Sequence, residues 1–218
     1  MKFKHVNHLT GPAFRQPMMM ASTIKWFYDN AGIDDTPGAS NDLSGGGTKI
    51  RWKSADDLEA IDTGDSMPIP VAGNNYSYWG QFYMEMTARP GAEIVNNMKF
   101  YTDGGGYGTG ITLWNGDQFP VHTAAATTGY DLATGTPGTT GDRMDSGGSK
   151  HTDITTRTDA FTHVTGTPLS LTIGEASTQL DLVGETCNYL VLQLDVGTTA
   201  TNGTKTAETM TGRYDETG

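Results

Sequence analysis

Five carboxylates crowd the stretch between residues 54 and 75: Asp56, Asp57, Glu59, Asp62 and Asp65. A structural Ca²⁺ takes roughly six to eight oxygen ligands from a compact loop, which makes Asp56, Asp57 and Asp62 the first candidate ligands. The Asp-x-Asp-x-Asp-Gly run with a closing Glu is absent, and a solvated acidic loop accounts for the same residues. The histidines are His5, His8, His122, His151 and His163. His5 and His8 are close in sequence but lie on the expected arm without a nearby carboxylate or third ligand, and surface histidines are the expectation. A Ser/His/Asp site is defined by geometry rather than spacing, but no Gly-x-Ser-x-Gly elbow occurs. Gly104–Gly110 imitates a phosphate-cradling loop, yet Ile111-Thr-Leu-Trp114 follows it and reads as a strand, leaving no helix N-terminus for an anion. The expectation is therefore no catalytic residues and no cofactor, with structural Ca²⁺ as the one open ion. Tyr76, Tyr78, Trp79 and Trp114 could stack on sugar rings; the competing reading puts them in the core, where alternate strand residues point inward.

These residues must be positioned by strands. Thr outnumbers even the 29 glycines, hydrophobic residues make up 35%, and helix formers are scarce. Asn188–Val196 is an apolar strand interrupted by Gln193 and Asp195, and Lys205–Thr217 alternates small and larger residues. Further strands are expected in Met18–Tyr28, Thr48–Lys53, Tyr76–Thr87, Glu93–Tyr101 and Ile111–Trp114, with shorter ones at Asp159–His163 and Pro168–Ile173. Arg89-Pro90-Gly91 reads as the turn of an antiparallel pair at the sandwich centre, and Asn115-Gly116 as a hairpin turn. Pro68 and Pro70 forbid a central strand there. The expected fold is all-β: an antiparallel two-sheet β-sandwich, jelly-roll-like, with long Gly/Thr-rich loops. Residues 1–17 read as an N-terminal arm and 18–218 as a single domain. Within it, 116–158 is a loop excursion without periodicity, either disordered or ordered against a partner.

The net charge of −11 repels phosphate backbones, so nucleic-acid binding is not expected. No stretch approaches the ~20 apolar residues of a membrane helix, and the amino end lacks an apolar run of signal-peptide length, which points to synthesis in the cytoplasm. Cys187 is the only cysteine and excludes an intrachain disulfide; a buried, inert thiol is expected.

Three segments resemble virion structural proteins of tailed viruses of bacteria and archaea. They are Ile50–Asp57 continuing to Met67–Pro70 and Tyr76–Trp79; Ile94–Tyr101 with the glycines after it; and Tyr189–Val196 followed by Glu208–Glu216. The resemblance implies a β-sandwich particle component without catalytic activity, with the virion as its final address. A capsid decoration (cement) protein is the leading expectation. It would form a homo-oligomer, with a trimer as first guess, and contact the major capsid protein. A tail-associated adsorption protein binding host-surface carbohydrate through Tyr76, Tyr78, Trp79 or Trp114 is the alternative.

Overall fold

The computed structural model describes residues 2–9 (backbone), 21–30, 36–38, 40–43, 50, 52–56 and 66–218. In chain order the strands are β1 (Lys2–Leu9), β2 (Thr23–Asp29), β3 (Ser40–Asp42), β4 (Asn74–Tyr76), β5 (Gly80–Ala88), β6 (Ile94–Thr102), β7 (Ile111–Gly116), β8 (Gly135–Thr136), β9 (Thr140–Gly141), β10 (Arg157–Asp159), β11 (Leu169–Ser170), β12 (Leu190–Gly197) and β13 (Thr209–Thr217). A single 3₁₀ turn, Ala160–Thr162, is the only helical element described. The fold is all-β, with two sheets arranged as a sandwich. The smaller runs β1-β13-β6-β11; the larger runs β3-β2-β5-β12-β4-β9-β8, with β7 on the other edge of β12 and β10 on β7. Pairing is antiparallel except between β1 and β13. No helix among the described residues is long and apolar enough to cross a membrane.

Strand alternation explains the core. On β5, Phe82, Met84 and Met86 turn toward the smaller sheet, matched by Ile24 and Trp26 on β2, and all are buried. Trp26 meets Phe100 of β6 edge-on across the gap at 6.3 Å. The two sheets are in tight contact at Gly212 on β13. A Cβ there would stand 2.5 Å from Met84 Sδ and 2.7 Å from the Trp26 indole nitrogen.

Several expectations change. Residues 89–93 do form a turn, held by Arg89 Nε donating to Glu93 O at 2.7 Å and by the Gly91 N–H donating to the Glu93 carboxylate at 2.7 Å. The strands on either side do not pair, however: β5 lies in the larger sheet and β6 in the smaller. Each carries an apolar face, and arching across the sandwich lets the two faces cover one another. The last two strands, β12 and β13, divide between the sheets in the same way. Asn115-Gly116 is no hairpin turn; it ends β7, paired with β12 and β10. The long aromatic strand is broken at residues 77–79, where Ser77 Oγ accepts from the Leu194 N–H. Of Thr48–Lys53, Ile50 and Trp52 are not strand and Lys53 makes an isolated bridge to Ser66; residues 48, 49 and 51 lie outside the described residues.

The first residues are not a free arm throughout: Lys2–Leu9 form β1, an edge strand in register with β13 from Lys2↔Thr209 to Leu9↔Glu216. Nor is the Gly/Thr excursion structureless. His122, Tyr130, Met144, His151 and Ile154 are buried, and the segment lies over the outer face of the larger sheet as a third layer. It is ordered by its own chain. Asp117 accepts from Thr155 N, Thr155 Oγ1 and Thr156 N at 2.9 to 3.1 Å, which ties its two ends together.

Candidate functional site

The outer face of the larger sheet carries the residues that do not suit a core: Asp29 of β2, Gln81 and Tyr83 of β5, Trp114 of β7, and Gln193 and Asp195 of β12. Their spacing follows from period-two alternation, since Phe82, Met84, Leu192 and Leu194 take the opposite face. Once covered by the third layer, each polar group must find a partner.

At one end, Asp29 is fully covered and accepts from Ser40 Oγ at 2.6 Å and Tyr189 Oη at 2.5 Å. Burial pushes its carboxyl above the usual range, against the pull of these two bonds. His122 Nε2 stands 3.9 Å from the same carboxylate, and its ring stacks on Tyr83 at 3.8 Å between centroids. Thr186 Oγ1 donates to the His122 carbonyl oxygen at 3.1 Å, so at 2.7 Å from Nδ1 it can only accept; Nδ1 therefore carries the imidazole hydrogen. Burial lowers the ring to about 4, and it is neutral near pH 7. Serine, histidine and carboxylate thus meet, but in an order unlike that of an activated nucleophile. The Ser40 hydroxyl is bound to the carboxylate and not to the imidazole that would take its proton.

In the middle, His151 Nε2 donates to Gln81 Oε1 at 2.7 Å, while its Nδ1 accepts from Asp153 N at 3.2 Å. Burial lowers its pKa, opposed by Asp131 nearby. Gln193 holds two segments to β12, accepting from Met144 N and donating to Ser77 O and Asp142 O at 2.7 to 3.0 Å.

At the other end Arg157 joins two of the aromatic candidates. Its guanidinium carbon lies 4.4 Å from the Trp114 ring centroid and 5.3 Å from that of Tyr76. Arg157 also pairs with Asp145 (3.6 Å) and Asp195 (3.4 Å), and Asp195 accepts from Trp114 Nε1 (3.0 Å) and Asn74 Nδ2 (2.6 Å). Burial would raise the Asp145 carboxyl, but Arg143 and Arg157 outweigh it and hold it below its usual range.

The remaining candidates separate. Trp79 is buried and donates to Asp131 O at 2.9 Å, which makes it core. Tyr78 is half-buried beside Gly135 and Gly141, where a Cβ on either glycine would meet its ring. Asp56 is half-buried with its carboxylate 3.5 Å from Tyr28 Oη; Asp57 and Asp62 lie outside the described residues. Among the described residues no group of three or more His, Cys, Asp or Glu could hold a metal ion. His163 Nε2 lies 3.1 Å from Asn115 Oδ1. His5 and His8 fall on β1, whose description is limited to its backbone. Cys187 is fully buried, its Sγ accepting from Met84 N at 3.2 Å, and burial raises its thiol to about 12.

Asp29 and Arg157 had no signal in the sequence. Gln193 and Asp195 did: two polar residues spaced by two in an otherwise apolar strand share a face, and a buried polar layer is what such a face requires.

No protein-family model, curated protein or solved structure matches this chain.

Proposed function

We propose that this chain is a non-enzymatic structural protein of a virus particle, a capsid decoration protein that stabilises the shell through subunit contacts. One observation carries the reading. The polar groups on the outer face of the larger sheet and in the layer over it are engaged in clasping distant segments of the chain to one another: Asp117 to Thr155, Asp131 to Thr152, Gln193 to Met144 and Asp142, Arg157 to Asp145 and Asp195. A body built this way keeps its shape when its surfaces are loaded by neighbours. The resemblance of Ile50–Asp57, Ile94–Tyr101 and Tyr189–Val196 to virion proteins points the same way. The sandwich, jelly-roll-like in this reading, is the rigid unit. Leu182 and Val183 provide an apolar contact point, 59% and 60% exposed on a turn fixed by Asp181 N and Leu182 N donating to the Glu185 carboxylate. Many weak contacts repeated by symmetry, here in a trimer, stabilise a shell without strong pairwise affinity.

Immunogold electron microscopy of virus particles with antibody against this chain tests the proposal. Label over the heads is the expected result. Label restricted to tails replaces decoration with the adsorption reading, and no label on intact particles removes the virion assignment.

A further inference from the structure

One end of the sandwich opens into a cavity of about 770 Å³ that the polar layer does not reach. Its floor is apolar, made by Ile111 of β7 with Leu194 and Val196 of β12. These strands face the smaller sheet elsewhere along their length, but here the cavity stands over them, bounded by Met67, Ile69 and the loop between β12 and β13. Trp52 and Tyr107 form a wall whose geometry is fixed on both sides. Trp52 Nε1 donates to Tyr107 Oη at 3.2 Å, Trp52 meets Phe82 edge-on at 6.1 Å, and Tyr107 meets Phe161 edge-on at 5.5 Å. Opposite stand Thr201, Asn202 and Thr204 of the β12–β13 loop, all exposed.

The chemistry of these surfaces selects among ligands. The volume lies within the roughly 300–1,000 Å³ usual for small-molecule sites. Lys205 is the one charged residue lining the cavity among the described residues, and its ammonium is engaged by Thr201 O (2.7 Å) and Thr201 Oγ1 (2.9 Å). Among the described residues no carboxylate lines it, and the protein's net charge of −11 opposes an anionic guest. Burial raises the Tyr107 phenol to about 12, so it stays protonated. Its oxygen already accepts from Trp52, and its own hydrogen has no acceptor among the described residues, which leaves one donor in the aromatic wall. An acyl chain would leave that donor and the hydroxyl and amide rim unmatched. A sugar ring matches every part: C–H faces for the aromatic wall and apolar floor, and hydroxyls that both donate and accept for Tyr107, Thr201, Asn202 and Thr204.

We propose that this cavity binds a short uncharged saccharide, with Trp52 and Tyr107 as the stacking wall and the β12–β13 loop as the polar rim. The site is distinct from Tyr76 and Trp114, whose rings Arg157 overlies, and it does not depend on where the protein sits in a particle. The test is ligand-observed saturation-transfer NMR and calorimetry on the full chain with three probes: maltotriose, cellotriose and N-acetylated chitotriose. Octanoate serves as the apolar anionic control. At least one saccharide should bind at concentrations up to about 10 mM. Tyr107→Phe, which keeps the ring but removes the donor and the oxygen that accepts from Trp52 Nε1, should weaken that binding about threefold to tenfold. Trp52→Ala should weaken it about tenfold or more. Because Trp52 also packs on Phe82, its variant counts only if its thermal unfolding stays cooperative; Tyr107→Phe and the exposed Asn202→Ala then carry the result. Failure of all three sugars to bind, binding of octanoate alone, or sugar binding that neither Tyr107→Phe nor Asn202→Ala alters would each overturn the proposal.

Discussion

Arg157 lies across the Trp114 indole at 4.4 Å, and the same indole donates its N–H to Asp195, one of the two carboxylates that Arg157 pairs with. Ring, cation and anion therefore form a closed triangle linking β7, β10 and β12. The Arg157 side chain is only 10% exposed and its two carboxylate partners 8% and 6%. Removing the cation leaves covered Asp195 without a charge partner, held only by Trp114 and Asn74, while Asp145 keeps Arg143. Arg157→Ala should cost about 3–5 kcal/mol in denaturant unfolding. Arg157→Lys, which keeps the charge but loses the planar fork, should cost about 1 kcal/mol. Equal losses for the two variants would mean that charge is not what matters at this position.

Gly212 sets how closely the two sheets approach. Placing a methyl there drives it against Met84 and Trp26, both fully buried with little room to move. Gly212→Ala should lower stability by about 1–3 kcal/mol through overpacking, read as a drop in Tm with the secondary structure retained. The same change at Gly148, where a Cβ meets nothing within 4 Å, should be close to neutral.

Acid should loosen the third layer before it affects anything else. His122 takes its proton at about 4 in the fold and near 6.5 when unfolded. The unfolded chain therefore binds the proton first, and stability is lost as pH falls from 6.5 toward 4. For His122 the loss is on the order of 3 kcal/mol across that window. Burial lowers His151 and His163 as well, with the same sign, whereas the raised carboxyl of Asp29 acts in the opposite sense. Urea midpoints measured across this window should fall with pH, and less steeply in His122→Gln.

Cys187 reports opening of the fold. A thiol raised to about 12 and wholly covered cannot present thiolate to a reagent in the native state. Its modification by a thiol reagent should be at least about a thousandfold slower in native buffer than in urea, with a rate set by unfolding. Modification at the rate of a free thiol would place Cys187 at the surface.

Strands with strong apolar or aromatic runs were legible in the sequence: Leu190–Gly197, Thr209–Thr217 and Ile94–Thr102 fall close to where alternation puts them. Their assignment to sheets was not, because a turn such as Arg89-Pro90-Gly91 reads the same whether the next strand pairs alongside or crosses the core. The third layer was opaque for a different reason. Asp117, Asp131 and Gln193 order it by side-chain bonds to distant backbone, and such bonds leave no period in a Thr- and Gly-rich stretch. The aromatic candidates show both limits. Alternation favoured the core over sugar stacking for these aromatics, and only the fold shows Trp79 in the core and Tyr76 and Trp114 gathered around an arginine 38 residues from its carboxylate partner on β12.

The seat of β13 between β1 and β6 bears on how the protein is made. Thr209–Thr217 leaves the ribosome after every other described strand, yet it is the strand that both β1 and β6 pair with. Lys2–Leu9, the earliest of the described strands, must wait some two hundred residues for its partner. During that interval the inner faces of β2 and β5 lack the completed sheet that will cover them, so the sandwich closes only once β13 has emerged, and holding chaperones should raise the yield.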